Sequence, residues 1–310
     1  TVWRQAEKYH VPRIAFVNKL DRSGADFFRT VEMMRERLGA RPLILQLPLG
    51  LEDSLRGVID LLKMQAILYE EDTLGATFRI ADIPDDALEE AQEYHVRLIE
   101  ELADLDEEVM EKYLGEESIP ETLLACAIRR GTIGNHITPV FCGASFRNKG
   151  VQPLLDGIID YLPSPADVPA ITGVAPRAEQ PVSRRASDDD PFAALAFKVM
   201  VDPYVGQLVF VRVYSGVLEA GSYVYNSSRE RRERIGRIVR MHANKREDVK
   251  EIRAGDIGAV VGLRHTVTGD TLCEEAKAVI LESMTFPAPV MAVAIEPKTK
   301  ADADKLSVSL

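Results

Sequence analysis

The chain has 310 residues, 46% hydrophobic and 28% charged, the proportions of an ordinary globular protein long enough for two domains or more. No apolar run approaches the roughly 18 residues a membrane span needs, and the opening does not read as a signal peptide, so no membrane partner is expected. Three cysteines without CxxC spacing (Cys126, Cys142, Cys273) argue against disulfides and zinc, and for a reducing cytoplasm.

The net charge of −11 is unevenly spread. Fourteen of the 49 acidic residues but only two of the 38 basic ones (Arg97, Lys112) fall within 85–117, so the remainder is close to balance. Local patches therefore decide partners, and nucleic acid is not excluded.

In chain order, residues 1–10 space Val2, Gln5, Ala6 and Tyr9 as one helical face, with no initiator Met and no capping group ahead. The end, KTKADADKLSVSL, reads as a helix just begun, so a segment of a longer protein is expected. An apolar strand over 13–17 runs into Asn18-Lys19-Leu20-Asp21. A helix over 25–38, closed by Gly39, follows. RPLILQLPLG reads as one strand, and SLRGVIDLLKMQAILYE as two more. Leu88, Ala91, Tyr94, Leu98, Leu102 and Leu105 then form the apolar stripe of an acidic helical stretch. Another helix begins near Pro120.

ITPVFCGASFRNKG repeats the opening pattern of apolar strand and polar loop. Val151, Leu154, Leu155, Ile158, Ile159 and Leu162 predict an amphipathic helix, stopped by Pro163 and Pro165. Two strand–loop–helix units suggest a parallel α/β sheet, with a ligand beyond the carboxyl ends of its strands. Residues 164–191, rich in Pro, Ala, Ser and Asp, read as a linker. The short β-rich runs after Pro191 read as a small antiparallel barrel, and PAPVMAVAIEP as the first strand of a further unit.

The polar loops suggest a chemistry. A carboxylate at a strand end accepts two parallel hydrogen bonds, and the N1–H and N2–H₂ edge of guanine offers two parallel donors. Adenine would set a lone pair against that carboxylate, and an unpaired buried polar group costs about 1–3 kcal/mol. Asp21 at such a place would choose guanine over adenine, with Asn18 holding another edge or bracing the neighbouring loop. The Lys19 stem would lie along the base. The alternative is a solvated turn. CGASFRNKG is rich in small residues, where backbone N–H groups could meet guanine O6, or it is a plain strand-to-helix turn.

AFVNKLDRSGADF together with PVFCGASFRNKGVQPLLDGIIDYLPSP resembles elongation factor G, the bacterial translational GTPase. The resemblance spans the chain, through LQLPLGLEDSLRGVIDLL, FAALAFKVMVDPYVGQLVFVRVYSG and TVTGDTLCE. It implies a multidomain α/β plus β fold. A partial parallel-sheet GTPase domain (1–39 and 136–163) would carry an inserted α+β subdomain (40–135). A linker (164–190), an antiparallel β-barrel (191–280) and the start of an α+β, ferredoxin-like domain (281–310) would follow.

The resemblance further implies that Asn18, Lys19 and Asp21 form the guanine-specificity motif, and that Ala144, Ser145 and Phe146 occupy the second guanine loop. The family usually reads Ser-Ala where this chain has Ala144-Ser145, which moves a bracing hydroxyl by one residue. GTP or GDP is the implied ligand. No GxxxxGK[ST] occurs, so the phosphate loop, switches and Mg²⁺ ligands of the family have no counterpart here, and this chain alone is expected not to hydrolyse GTP. The implied partner is the ribosome, met by a monomer in the cytoplasm. A stalk protein would lie near the acidic face, otherwise a solvated one. Ribosomal RNA would lie near a basic run in which Arg231, Arg234 and Arg237 are candidate contacts, otherwise an exposed hairpin. The five histidines form no ligand spacing. Rival readings are a sister GTPase, such as a release factor or a ribosomal protection protein, and a non-enzymatic ribosome-binding module. The long insert favours elongation factor G.

Overall fold

The computed structural model describes residues 1–70, 75–176, 180–202, 206–242 and 245–281, and beyond them 294–297, 299, 302 and 306. Two compact units divide the chain, Thr1–Ser164 and Pro165–Leu310. The expected third-domain opening at 281–310 lies outside the described residues save for Leu281 and those isolated positions.

In the first unit α1 (Val2–Lys8) precedes β1 (Ala15–Val17) and α2 (Phe27–Leu38). The Asp26 side chain caps α2 by accepting the Arg29 N–H at 2.9 Å, and Gly39 ends the helix in left-handed geometry. The stretch expected as one strand over 41–50 is two, β2 (Pro42–Ile44) and β3 (Gln46–Leu49). The chain changes sheets at Leu45, whose N–H donates to Val140 O and whose carbonyl accepts the Leu61 N–H, both at 3.0 Å.

From β3 an antiparallel meander continues through β4 (Gly57–Asp60), β5 (Gln65–Tyr69) and β6 (Phe78–Ala81). Helices α3 (Asp85–Ala103), α4 (Glu107–Leu114) and α5 (Glu121–Ile133) follow. The predicted stripe of α3 faces inward: Ala91, Leu98 and Leu102 are buried, and Leu88, Tyr94 and Leu105 pack on them. Part of the acidic excess is paired, Asp104 with Arg41, Asp106 with Arg130 and Glu93 with Arg97. Glu89, Glu90, Glu107, Glu108 and Glu111 make no ion pair among the described residues. Strand β7 (Thr138–Cys142), buried throughout, lies between β1 and β2 in a parallel sheet of order β1-β7-β2, and α6 (Val151–Tyr161) closes the unit.

The second unit opens with a difference from the sequence reading. Within the expected linker, β8 (Ile171–Val174) and β9 (Pro181–Arg184) form an antiparallel ladder. Its partners are distant in sequence. Ile171 and Val182 pack on Ala193, Cys273, Val279 and Leu281, and Val174 exchanges two 2.8 Å backbone hydrogen bonds with Ile280.

Next come β10 (Ala193–Asp202), β11 (Gly206–Ser215), β12 (Val217–Glu219), β13 (Tyr223–Asn226) and β14 (Arg231–Arg234). Then follow β15 (Arg237–His242), β16 (Lys245–Val249), β17 (Glu251–Arg253), β18 (Ile257–Val261) and β19 (Thr271–Cys273). Eight form one antiparallel sheet, β14-β13-β19-β10-β11-β18-β15-β16. It curls closed because β14 runs into β15 through two bonded residues. The Ile235 N–H donates to Ser222 O and the Gly236 N–H to Val261 O, both at 2.9 Å. A Cβ at Gly236 would lie 2.7 Å from Val261 O, so this corner requires glycine. Inward-facing Ala194, Val211, Val213, Leu218, Ile238 and Val260 fill the barrel.

Cysteine accessibility tests both cores. Cys142 and Cys273 are buried, and burial pushes both thiols up, whereas Cys126 is exposed. An alkylating reagent at neutral pH is expected to label Cys126 alone in the folded chain and all three cysteines after denaturation. Native labelling of Cys142 or Cys273 would contradict the packing.

Candidate functional site

The two polar loops singled out by the sequence leave adjacent parallel strands side by side. β1 and β7 pair Ala15 with Val140, Phe16 with Phe141 and Val17 with Cys142. The ladder continues beyond both strands, with the Gly143 N–H donating to Val17 O at 3.0 Å and the Leu20 N–H to Gly143 O at 3.2 Å. Leu20 is 1% exposed, so the residue between Lys19 and Asp21 is the anchor that keeps its polar neighbours at the sheet mouth. Lys19 is left-handed, with φ 63, and exposed.

Asn18 clasps the second loop. Its Oδ1 accepts the Ser145 N–H at 2.9 Å and the Lys19 N–H at 2.8 Å, and its Nδ2 donates to Ser145 Oγ at 2.9 Å. Two N–H donors facing one side of the amide fix which end is oxygen. The Ala144-Ser145 order thus gives the hydroxyl a defined task at position 145. Ala144, 1% exposed, is occupied within its own loop, its N–H donating to Lys149 O at 2.9 Å. Gly150 opens α6 at φ 83, and a Cβ there would lie 2.3 Å from Cys142 O, so the second loop can close on its strand only with glycine.

The Asp21 side chain is 8% exposed and pairs with Arg147 Nε at 3.2 Å. A carboxylate has about four acceptor positions, so Arg147 orients the group and leaves acceptors for two further donors. Asp21, Arg22, Ser23, Glu52, Asp53, Phe146 and Arg147 line a cleft of about 390 Å³, ample for a purine. Phe146 stands 93% exposed at its rim. All six sequence-expected positions, Asn18, Lys19, Asp21, Ala144, Ser145 and Phe146, therefore belong to two loops that hydrogen-bond to each other. Sequence reading missed Arg147, Lys149 and the turn around Glu52, which come from beside the motif or from another hairpin. Among the described residues, no three His, Cys, Asp or Glu side chains gather to hold a metal ion.

The basic run does not form one face. Arg231 and Arg234 are three apart on β14 and fall on opposite sides of it, both exposed and without an ion pair among the described residues. Arg237, on β15, lies 3.8 Å from Asp248.

Residues 1–164 match the elongation factor Tu GTP-binding domain, and residues 206–273 match elongation factor Tu domain 2. The crystal structure of a Thermus thermophilus protein is similar over 99% of this chain, with 28% identity and a TM-score of 0.78. This chain spans 43% of that protein's length.

Proposed function

The chain belongs to the elongation factor Tu GTP-binding domain family, that of the translational GTPases, and we propose that it is the base-reading segment of an elongation factor G. The observation that carries the nucleotide reading is the pairing of loops: a carboxylate 8% exposed after one strand, clasped through Asn18 to a tight loop after its parallel neighbour. Asp21 would accept from guanine N1–H and N2–H₂, and Asn18 and Ser145 would keep the second loop close enough for a backbone N–H to meet O6. Lys19 would flank the base and Ala144 would support the loop.

Nucleotide-bound members of such a family stabilise phosphate charge with a metal ion, and the two loops described here would supply base contacts. The family's translation role points to the ribosome as partner, and elongation factor G is favoured over its sister factors by the long insert expected over 40–135, between the two loops. The full-length protein would act in the cytoplasm as a monomer, hydrolysing GTP to drive movement of tRNA and mRNA. Its unpaired acidic residues on α3 and α4 would face a stalk protein. Ribosome-stimulated GTP hydrolysis by the full-length protein, accompanied by movement of tRNA and mRNA, is the expected result. Stimulated hydrolysis without that movement would favour a release or protection factor.

Ribosomal RNA would meet the barrel at Arg231, Arg234 and Arg237. Each phosphate neutralised adds about 0.7 to 0.9 to the slope of log affinity against log salt. Replacing all three arginines with Gln is expected to flatten that slope and weaken ribosome binding, with guanine-nucleotide affinity unchanged. Superimposable slopes would leave them as solvated surface. Arg237, already near Asp248, is expected to contribute least.

A further inference from the structure

We infer that Glu52, in the turn between β3 and β4, is a positioning residue for guanine discrimination, holding the Asp21 loop on both flanks of its carboxylate. The inference rests on Asp21 being the base reader. The Glu52 N–H donates to Leu20 O at 2.7 Å, and its Oε1 accepts the Gly24 N–H at 2.6 Å. Leu20 precedes Asp21 and Gly24 lies three residues beyond it, so one residue grips the loop before and after the base reader. Gly24 has φ 78, and apart from its chain neighbours no atom lies within 4 Å of where its Cβ would stand, so the space beside that backbone is open.

The gripping turn is itself held by hydrogen bonds. Ser54 Oγ donates to Leu51 O at 2.7 Å and accepts the Leu51 N–H at 3.1 Å, and the Arg56 N–H closes the hairpin on Leu49 O at 3.0 Å. Glu52 sits at φ 54, a conformation that a side-chain-bearing residue keeps only where its surroundings impose it. The same hairpin holds the second loop: buried Lys149 donates from Nζ to Leu55 O at 2.5 Å. Residues 50–55, contributed by the insert, thus tie together the two loops that would enclose the base. Guanine and hypoxanthine share N1–H and O6 and differ in the N2 amino group. Reading that group requires the second Asp21 oxygen in register, which a loosened loop would lose first.

The test compares GDP, IDP and XDP affinities of the full-length protein as wild type, Glu52→Ala, Glu52→Gln and Glu52→Gly. Wild type is expected to prefer GDP over IDP and XDP. Glu52→Ala is expected to lose about tenfold in GDP affinity, the cost of one misplaced charge-assisted hydrogen bond, with a much smaller loss for IDP. Glu52→Gln keeps an acceptor for Gly24 and is expected to restore the GDP:IDP ratio. Glu52→Gly relieves the backbone at φ 54 but removes the carboxylate, and is expected to behave like Glu52→Ala. A GDP:IDP ratio within twofold of wild type in either Glu52→Ala or Glu52→Gly would overturn the role of Glu52 and leave the guanine reading intact. A wild type that does not prefer GDP would overturn both.

Discussion

Asp21→Asn in the full-length protein is expected to exchange a preference for guanine nucleotides for one for xanthine nucleotides. The amide keeps an oxygen for N1–H but turns an N–H₂ donor toward the N2 amino group, leaving two donors facing each other. Two unsatisfied polar groups cost about 2–4 kcal/mol, a loss of roughly thirtyfold to a thousandfold in GDP affinity. Xanthine carries a carbonyl at C2 and accepts that donor. Arg147 Nε, 3.2 Å from the Asp21 carboxylate, keeps an oxygen to meet in the variant, so the side chain remains oriented toward the cleft. Competition between GDP and XDP reads the exchange directly, and a variant that still prefers GDP would remove Asp21 as base reader.

The largest effect on stability is expected from Leu20→Ala. Leu20 is 1% exposed, belongs to the core of the first unit and joins two loops to it: its N–H reaches Gly143 O and its carbonyl receives the Glu52 N–H. Truncating a buried leucine costs about 2–5 kcal/mol through lost transfer energy and the cavity left behind. For a unit of this size, that lowers the midpoint of thermal unfolding by roughly 5–15 °C. Calorimetry of the chain is expected to show unfolding of the first unit shifted down by that amount. A shift below about 2 °C would mean that Leu20 does not anchor the loop.

The apolar side of this design was legible. Runs such as AFV and TPVFC lack the apolar–polar alternation of a half-solvated strand, as expected in a covered parallel sheet, and the 3.6-residue spacing of the α3 stripe leaves one face to pack. The Asn18–Asp21 motif was legible as a local pattern, four consecutive residues at a strand end. The Glu52 contribution was not, because it works through a backbone N–H and one carboxylate oxygen reaching 28 residues back to Gly24. Nothing in the periodicity of a hairpin turn marks such a reach. Leu45 looked like the middle of a strand because both sheets it joins demand apolar residues, so the change of partner leaves no trace in hydropathy. The β8–β9 ladder read as a linker because its stabilising partners, Val279 and Ile280 among them, lie about a hundred residues on. How the arginine run divides between the two sides of β14 was not legible as charge, because strand alternation, not composition, sets Arg231 and Arg234 on opposite sides.

The most direct test of the central claim is a crystal structure of the full-length protein with GDP bound. Guanine is expected in the cleft between residues 21–23, 52–53 and 146–147, with the Asp21 carboxylate about 2.7–3.2 Å from both N1 and N2. Ser145 is expected still clasped to Asn18, with a backbone N–H of the second loop on O6. A base bound elsewhere, with the Asp21 carboxylate paired to Arg147 and touching no part of the nucleotide, would contradict it.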